Sequence, residues 1–376
     1  MTAVCTEHNP GGSKRVVVTK QLPGDRWLDL LTAADCSVDV DTSTDVLAHE
    51  EIVERIGTRC DGVIGQLTED WDDALFAALQ AAGGTAYSNY AVGYNNVDVE
   101  AASRHGVAVG NTPGVLTETT AEMAVTLTLS AGRRIVEADT FMRHGNFRGW
   151  LPEMYLGQRF HRGTVGVIGC GRIGAAYAQL MLEGFKMDIV YFDLYKNQAL
   201  HDYVADYSEF LVAHGQDPVS CRQLDSIEDV LRTADVVSLH TVLDDSTHHL
   251  IDADRLALMK DDSILVNSSR GPVIDEAALV AHCGTHPDFR AGLDVFENEP
   301  AMAPGLADLG GVVIVPHIAS ATVWTRQGMA TLAGANVAAV LQGYPLWNNE
   351  DVIPFLEGEA PRAAPSIVNA AELGLS

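Results

Sequence analysis

The sequence predicts an α/β protein with two doubly wound parallel-sheet domains, and three observations support this fold class. Its 376 residues exceed what one compact core usually holds. Short apolar runs alternate with helical patterns in both halves, which is typical of parallel strands covered by helices. A glycine-rich turn at 169–174 joins an apolar run to the opening of a helix. One sheet is therefore complete before this turn, and a second sheet begins at it.

The first sheet is predicted from short runs rich in β-branched residues. Its strands are expected at 15–19, 36–40, 62–65, 85–88 and 107–110. Residues with three- and four-residue apolar spacing predict the intervening helices. These are 27–34, 49–56 and 72–82. A longer helical pattern at 117–138 would carry the chain to the second sheet, and the glycine-containing segment 142–160 is expected to be an irregular arm.

The second sheet follows the same alternation. Its strands are expected at 165–168, 189–192, 235–239, 263–267, 289–293 and 312–315. The crossover at 196–222 is unusually long, and its aromatic residues predict an extra surface helix. Residues 322–341 form a last alanine-rich helix, followed by a tail at 344–376.

Composition excludes several classes of function. The net charge of −27 argues against nucleic acid and anionic membranes as partners, because both would be repelled. No run approaches the roughly 18 apolar residues of a membrane span. The six cysteines show neither a C-x-x-C pair nor the spacing of metal ligands. We therefore expect free thiols, a reducing compartment, and no metal site.

The two ends of the sequence show no recognisable targeting signal. Residues 1–15 lack the apolar segment of a secretory signal and the arginines of a transit peptide. The last residues, Leu375-Ser376, differ from the Ser-Lys-Leu signal of peroxisomal proteins. From these observations alone, no organelle is indicated.

The glycine-rich turn has the spacing G-x-G-x-x-G, at Gly169, Gly171 and Gly174. The first glycine allows the tight turn, the second lets backbone approach a pyrophosphate, and the third lets helix and strand pack closely. Asp193 ends the next apolar run, 19 residues after Gly174. A carboxylate at that distance accepts the ribose hydroxyls of NAD in the Rossmann fold. The pattern predicts a dinucleotide site.

Three charged or titratable residues follow strands of the second sheet. They are Arg270, Glu299 and His317. Singly, each has an ordinary explanation as a surface charge, a solvated acid or a packed histidine. In open α/β sheets, however, ligands bind outside the carboxyl ends of the strands. Their succession downstream of a dinucleotide turn indicates a catalytic site.

The motifs, taken together, resemble the D-2-hydroxyacid dehydrogenases. The resemblance rests on the G-x-G-x-x-G turn, Ser269-Arg270-Gly271, Leu293-Asp294-Val295-Phe296 with Glu299-Pro300, and Pro316-His317-Ile318-Ala319. Longer runs resemble the plant-type hydroxypyruvate reductases, also called glycerate dehydrogenases. These include Cys60 to Trp71, Ala91 to Asp98, Gly110 to Thr117 and Pro365 to Asn369.

The resemblance implies a role for each member of the substrate site. Arg270 would bind the substrate carboxylate with its two-pronged guanidinium. His317 would donate a proton to the keto oxygen, and Glu299 would orient the ring and favour imidazolium. Backbone N–H groups of Val92 and Gly93 would close on the same carboxylate from the first domain.

Further residues are implied in the cofactor site and at the edge of the substrate site. Arg172 and Ile173 would contact the pyrophosphate, and Asp294 the nicotinamide carboxamide. Thr241 and Ser269 would contact the cofactor from strand ends. Trp150 resembles a tryptophan that reaches a neighbouring subunit's active site, with a plain aromatic of the dimer interface as the alternative. Trp324 is a second candidate for shaping the substrate pocket.

Cofactor choice depends on the residue that ends the second strand of the nucleotide-binding sheet. A carboxylate at Asp193 would repel a 2′-phosphate, so NAD(H) is expected and NADP(H) is less favoured. The nearby Lys196 would offset part of that repulsion. Cys170 lies inside the turn, where a helix N-terminus lowers thiol pKa values. The sequence leaves two alternatives for Cys170, a reactive thiol and an inert small residue.

The resemblance also implies the organisation and activity of the whole chain. Residues 1–117 and 321–376 would form a flavodoxin-like substrate domain, and 118–320 a Rossmann NAD-binding domain carrying a dimerisation arm. The implied activity is NADH-dependent reduction of hydroxypyruvate to D-glycerate, with glyoxylate to glycolate as a second reaction, in a homodimer of photorespiratory type. Relatives imply a peroxisome or mitochondrion, with the cytosol as the alternative.

Two other functions remain open on the sequence. The first is a reductase acting mainly on glyoxylate or another small 2-keto acid. The second is a non-catalytic protein of the same fold that senses NAD(H). The presence of all three candidate catalytic residues, Arg270, Glu299 and His317, favours catalysis over sensing.

Overall fold

The computed structural model describes residues 5–375, which fall into two compact units. The first unit comprises the described residues of Met1–Leu116 and Ala321–Ser376, and the second comprises Thr117–Ser320. The strands are β1 Cys5–His8, β2 Lys14–Val18, β3 Cys36–Asp41, β4 Gly62–Gly65, β5 Ala86–Asn89, β6 Ala108–Gly110, β7 Thr164–Ile168, β8 Asp188–Phe192, β9 Cys221–Gln223, β10 Val236–Leu239, β11 Ile264–Asn267, β12 Arg290–Leu293 and β13 Val312–Ile314.

The α-helices lie between these strands and at the end of the chain. They are α1 Arg26–Ala33, α2 His49–Ile56, α3 Asp73–Ala81, α4 Val99–Arg104, α5 Thr117–Gly132, α6 Ile135–Arg143, α7 Arg172–Phe185, α8 Gln198–Ala213, α9 Ile227–Thr233, α10 Ala253–Leu256, α11 Glu276–Thr285, α12 Val323–Gln342 and α13 Ile353–Leu356. Several begin at an aspartate whose carboxylate accepts a backbone N–H three residues on, which satisfies a donor of the first turn. Asp72, Asp98 and Asp275 cap helices in this way.

The sheet of the first unit has the strand order β1-β3-β2-β4-β5-β6. Strands β2 to β6 are parallel, and β1 pairs antiparallel with β3. When β1 is left out and strands β2 to β6 are renumbered from 1 in chain order, the strand order is 2-1-3-4-5, which is that of flavodoxin-like folds. The fold class predicted for this part of the chain is confirmed, with β1 as an additional edge strand.

The sheet of the second unit is parallel throughout, in the order β13-β12-β11-β10-β7-β8-β9. Its first strand, β7, lies between β8 and β10. When the strands are renumbered from 1 at β7 and the sheet is read from β9, the strand order is 3-2-1-4-5-6-7. This is the 3-2-1-4-5-6 order of the Rossmann fold with one further strand, and the order reverses at the carboxyl end of β7. The predicted Rossmann fold is confirmed, and its switch point lies at the glycine-rich turn.

Helices cover both faces of this second sheet, so its strands are buried on each side. Successive side chains of a strand point to opposite faces. Val167 accordingly lies in the apolar cluster beneath α5 and α7, whereas Ile168 lies in the opposite cluster with residues of α9 and α11. The predicted extra helix in the long crossover is α8, whose Leu200, Val204 and Leu211 join the first of these clusters.

The helix predicted at 117–138 is two helices, which corrects that prediction. Helix α5 ends at Gly132, whose carbonyl accepts the N–H of Gln158, and Arg134 has a φ of 53°. A Cβ at position 132 would lie 2.4 Å from the ring of Phe160. The chain therefore turns where only glycine fits, and α6 continues to Arg143, inside the segment predicted to be irregular.

Residues 5–375 contain neither a membrane-spanning helix nor a cluster of metal ligands. No described helix combines the length and the apolar character needed to cross a membrane. Within the same residues, no group of three or more histidine, cysteine, aspartate or glutamate side chains is arranged to hold a metal ion.

Candidate active site

The glycine-rich turn connects β7 to α7 at the switch point of the second unit. Gly169 has a φ of 88°, and a Cβ there would lie 2.7 Å from the carbonyl oxygen of His240. A Cβ at Gly174 would lie 2.2 Å from the carbonyl oxygen of Gly169. Gly171, which precedes α7, has no atom within 4 Å of such a Cβ. Two glycines are thus required by packing, and the third keeps an open approach to the helix N-terminus.

The first turn of α7 presents the backbone that a pyrophosphate would contact. Arg172 and Ile173 are its first two residues, at the positions predicted from the sequence. The first N–H groups of a helix have no partner inside the helix and attract anions. The turn is also anchored from the next crossover, because the side-chain amide of Asn197 donates to the carbonyl of Cys170 at 2.9 Å. Sequence reasoning missed Asn197.

Asp193 lies directly after β8 and beside the turn. Its Oδ2 accepts the N–H of Cys170 at 2.7 Å, and its Oδ1 accepts the N–H of Tyr195 at 3.2 Å. Each carboxylate oxygen has further lone pairs, so these bonds fix the side chain while leaving acceptor capacity. The role of Asp193 as the acceptor of NAD ribose hydroxyls stays a prediction.

Two buried hydroxyls at strand ends fit a dinucleotide. Thr241 follows β10 and Ser268 follows β11, and within residues 5–375 neither hydroxyl has a hydrogen-bond partner. A buried hydroxyl without a partner is costly, and a bound polar ligand relieves that cost. Thr241 was predicted from the sequence and Ser268 was not. Ser269, which was predicted, donates its hydroxyl to Asn267 at 2.7 Å.

The structure brings Arg270, Glu299 and His317 to the carboxyl-end edge of the second sheet. Arg270 follows β11, Glu299 lies in the loop after β12, and His317 follows β13. The Nδ1 of His317 lies 2.9 Å from Oε2 of Glu299, and both side chains are about one-third exposed. Because Nδ1 of His317 is hydrogen-bonded to the carboxylate of Glu299, Nε2 is the ring nitrogen that can exchange a proton with a ligand.

Charge and burial act on the ionisation of these residues. Burial alone would raise the pKa of Glu299, but the hydrogen bond and charge of His317, the N–H of Phe296 and the charge of Arg270 outweigh it and hold that pKa below the usual range. Burial lowers the pKa of Arg270, and the charge of Glu299 opposes this effect. Glu299 is therefore an ionised carboxylate in hydrogen-bond contact with the ring of His317.

The loop that carries Arg270 is shaped by a buried asparagine and a glycine that sequence reasoning did not single out. The amide of Asn267 donates to the carbonyl of Arg270 at 2.8 Å, and its Oδ1 accepts the N–H of Ser269 at 3.0 Å. A Cβ at Gly271 would lie 1.9 Å from the backbone carbonyl of Phe296. Gly271 thus allows the Arg270 loop to lie against the segment that leads to Glu299.

Asp294 is fully buried and holds the loop of His317. Its two carboxylate oxygens accept the N–H groups of Ile318 at 2.6 Å and Ala319 at 2.9 Å, and its carbonyl accepts that of His317 at 2.8 Å. Burial raises the pKa of Asp294, although these N–H groups oppose the rise. His317 itself has a φ of 52°, which is unusual for a residue with a side chain. Asp294 therefore stabilises the strained backbone of His317, and the predicted contact with a carboxamide would be additional.

The predicted carboxylate loop, at Val92 and Gly93, lies in the first unit after β5. Both residues are partly buried. The side-chain amide of Asn111 donates to the carbonyl of Val92 at 2.8 Å, and that of Asn89 donates to the carbonyl of Gly93 at 2.9 Å. Sequence reasoning missed both asparagines. The loop is a rigid turn whose backbone conformation is fixed from within its own unit.

The prospect of a reactive Cys170 is not supported by its surroundings. The residue is only 3% exposed, and burial raises the pKa of its thiol to about 12. Of the two alternatives that the sequence leaves for Cys170, these surroundings favour the inert small residue, because burial disfavours the charged and reactive thiolate. Cys170 is a small apolar residue in the turn.

The two tryptophans predicted near the substrate are both exposed. Trp150 lies between α6 and β7 and is 77% exposed, and Trp324 lies in the first turn of α12 and is 50% exposed. Among residues 5–375, neither belongs to the three apolar clusters of buried side chains that contain Val167, Ile168 and Trp71. Their roles in the substrate site remain predictions.

Comparison with known proteins gives the family. A model described as "D-isomer specific 2-hydroxyacid dehydrogenase, NAD binding domain" matches residues 125–319. The chain is 58% identical over 372 residues to the peroxisomal glycerate dehydrogenase of Arabidopsis thaliana, covering 98% of this chain and 96% of that protein. It is 41% identical over 273 residues to the glyoxylate reductase of Thermococcus litoralis, covering 71% and 77% of the two chains.

A solved structure shows the same fold. The crystal structure of the TT0316 protein from Thermus thermophilus has a TM-score of 0.78 and 35% identity, covering 94% of this chain and 99% of that one. The predicted family, the NAD cofactor and the oxidoreductase class are confirmed. The chain belongs to the D-isomer specific 2-hydroxyacid dehydrogenases, NAD-dependent oxidoreductases whose NAD-binding domain it carries at residues 125–319.

Proposed function

We propose that this protein reduces hydroxypyruvate to D-glycerate with NADH, and glyoxylate to glycolate as a second reaction. The observation that carries the proposal is the 2.9 Å pair between His317 and an ionised Glu299 at a strand end, in the same unit as Arg270. An arginine for a carboxylate and an imidazolium for a keto oxygen are what reduction of a 2-keto acid requires. The 58% identity to a glycerate dehydrogenase supports hydroxypyruvate as the main substrate.

In the proposed reaction, Arg270, His317 and Glu299 have separate roles. NADH, which the glycine-rich turn and Asp193 would hold, would supply a hydride for the keto carbon. Arg270 binds the carboxylate and holds the keto carbon in place, which lowers the entropic part of the barrier. His317 gives the proton on Nε2 to the keto oxygen, and Glu299 stabilises the imidazolium before transfer. In the reverse direction, neutral His317 takes the proton from the hydroxyl of the 2-hydroxy acid.

The two units have separate tasks in this proposal. Residues 118–320 are the Rossmann NAD-binding domain, and 1–117 with 321–376 are the substrate domain. The glycine-rich turn, Asp193 and the hydroxyls of Thr241 and Ser268 support the first assignment. The ordered loop at Val92 and Gly93 supports the second.

We also propose a homodimer formed through the segment that follows α5. Seven large apolar side chains between positions 135 and 156 are exposed, a concentration that usually marks an interface. They are Ile135, Val136, Met142, Phe147, Trp150, Leu151 and Leu156. A second copy of the chain would cover them, and Trp150 would then be buried at the interface between the copies.

The compartment is proposed from the relatives. The Arabidopsis relative is named as peroxisomal. We therefore favour a peroxisome or mitochondrion, with the cytosol as the alternative. Fluorescent tagging at either end of the chain, observed in its own cells, would show which compartment holds it.

The substrate proposal is tested by comparing kcat/KM for hydroxypyruvate, glyoxylate and pyruvate, each with NADH and with NADPH. We expect the highest value for hydroxypyruvate with NADH. A higher value for glyoxylate would favour the alternative of a glyoxylate reductase. Absence of turnover with every 2-keto acid, while NADH still binds, would favour the NAD(H)-sensing alternative and contradict the proposal.

Replacing Asp193 with serine should change the choice of cofactor. Loss of the carboxylate removes a repulsion against the 2′-phosphate, so the ratio of kcat/KM for NADPH to that for NADH should rise at least roughly tenfold, or ~1.4 kcal/mol. Asp202→Ser, at an exposed acid of the same unit, is the control and should leave the ratio unchanged. An unchanged ratio in both variants would show that Asp193 does not select the cofactor.

A further inference from the structure

We infer that Asn111 and Asn89 are positioning residues that hold the two peptide planes on either side of Gly93, and with them the N–H group that Gly93 would offer to the substrate carboxylate. The inference rests on the proposed reduction of a 2-keto acid. Neither asparagine contacts the substrate in this proposal. Each acts by fixing a peptide plane of the loop.

Three consecutive peptide planes of the loop are held by donors of the first unit. The carbonyl of Ala91 accepts the N–H of Thr112 at 2.9 Å. The carbonyl of Val92 accepts Nδ2 of Asn111 at 2.8 Å, and that of Gly93 accepts Nδ2 of Asn89 at 2.9 Å. Two of the three donors are therefore side-chain amides, that of Asn89 at the end of β5 and that of Asn111 directly after β6.

A trans peptide makes the consequence for the N–H groups direct. Carbonyl and N–H of one plane point in opposite directions. Pinning the carbonyl of Ala91 fixes the N–H of Val92, and pinning the carbonyl of Val92 fixes the N–H of Gly93. Both N–H groups are thus turned away from the donors that hold the loop. Within residues 5–375, neither donates to a protein acceptor. Successive N–H groups fixed in this way form a site for an anion.

The asparagines are themselves held in one orientation. Asn111 is 7% exposed, and its Oδ1 accepts the hydroxyl of Ser366 at 2.6 Å. Asn89 is fully buried, and its Oδ1 accepts the hydroxyl of Tyr87 at 3.2 Å. Because a carbonyl oxygen only accepts, the NH₂ group of each amide must face the loop. Because the turn at Val92 and Gly93 already has this conformation, it needs no reorganisation when the substrate carboxylate binds.

The test uses a substitution that removes the donor and retains the acceptor. Asn111→Asp keeps the shape and the contact with Ser366 but places an oxygen against the carbonyl of Val92. KM for hydroxypyruvate should rise roughly 10–100-fold, because small displacements of positioning groups cost about that much. The Kd for NADH should stay within about twofold. The Kd for oxalate with NAD⁺ present, measured by calorimetry, should rise in parallel with KM and does not depend on turnover.

A matched control comes from the same unit. Asn369 is fully buried and donates Nδ2 to the carbonyl of Val107 at 2.9 Å, away from the loop. Asn369→Asp loses the same kind of bond at the same cost of burial, so its Tm should fall by a similar amount while KM and the oxalate Kd remain those of the wild type. Asn89→Asp is the second variant if Asn111→Asp does not fold, and it should raise both constants.

Three outcomes separate the two proposals. If the aspartate variants at 111 or 89 keep wild-type KM and oxalate affinity, the positioning role is overturned. It is equally overturned if Asn369→Asp raises both constants as much as they do. If the wild type turns over no 2-keto acid, the proposed function fails, and weaker oxalate binding in the variants would still support the positioning role.

Discussion

Replacing His317 with alanine should lower kcat roughly 10²–10⁴-fold while the Kd for NADH stays within about twofold. The imidazole supplies the proton to the keto oxygen, and positioned proton transfer is worth about that factor. The glycine-rich turn follows β7, whereas His317 follows β13, an edge strand that β12, β11 and β10 separate from β7. In the proposed function the turn and Asp193 bind NADH, so the loss of His317 should leave that binding intact. Stopped-flow turnover together with fluorescence titration of NADH checks both quantities.

A second histidine provides the control for this experiment. His249 lies 2.9 Å from Glu297, and that pair is as exposed as the pair of His317 with Glu299. His249→Ala should therefore keep kcat within a few-fold of the wild type. Equal losses in the two variants would mean that histidine–glutamate pairs act on the stability of these loops rather than on proton transfer. Preserved turnover in His317→Ala would remove this residue from the mechanism.

Replacing Gly271 with alanine should destabilise the protein and abolish most of its activity. The added Cβ would lie 1.9 Å from the backbone carbonyl of Phe296, and backbone atoms cannot move aside as a flexible side chain does. Overpacking of this severity costs about 3 kcal/mol of unfolding free energy. Separation of the two segments would also displace Arg270 relative to Glu299. Urea unfolding and kcat/KM measure the two effects.

Gly284→Ala is the matched control, because a Cβ there has no atom within 4 Å and the residue lies inside α11. Alanine at that helical position should stabilise the protein by about 0.5–1 kcal/mol and leave activity unchanged. If Gly271→Ala were as stable and active as this control, the close contact of the Arg270 loop with Phe296 would not exist in solution.

Most strands of both sheets could be predicted because each is a short apolar run next to a turn signal. Ile264–Asn267, for example, lies within the predicted 263–267. The strands that were missed lie at sheet edges. Cys5–His8 is largely exposed and Cys221–Gln223 has only three residues, so neither shows the apolar pattern on which a sequence-based prediction depends. Helix α4, with six residues, was too short for its period to be recognised.

The candidate site was predictable to the extent that chemistry is local in sequence. Arg270 and His317 follow apolar strands directly, so their common edge could be inferred. Asn111 and Asn267 could not be identified, because an isolated asparagine after a strand is typical of a turn. What distinguishes Asn111 is a contact with Ser366, 255 positions away. Contacts of that kind depend on the completed fold.

The first unit is assembled from both ends of the chain, and this has a consequence for the order in which the protein is made. Helix α12 lies against its strands: a Cβ at Gly62 would be 2.9 Å from Val337, and one at Gly110 would be 2.7 Å from Asn336. Residues 117–320 are continuous and leave the ribosome before α12 does. The sheet of the second unit can therefore form while the chain is still being synthesised. One apolar face of the first unit's sheet stays uncovered until residues 323–342 have been made. During that interval the amino-terminal segment is the part of the polypeptide on which chaperones would act.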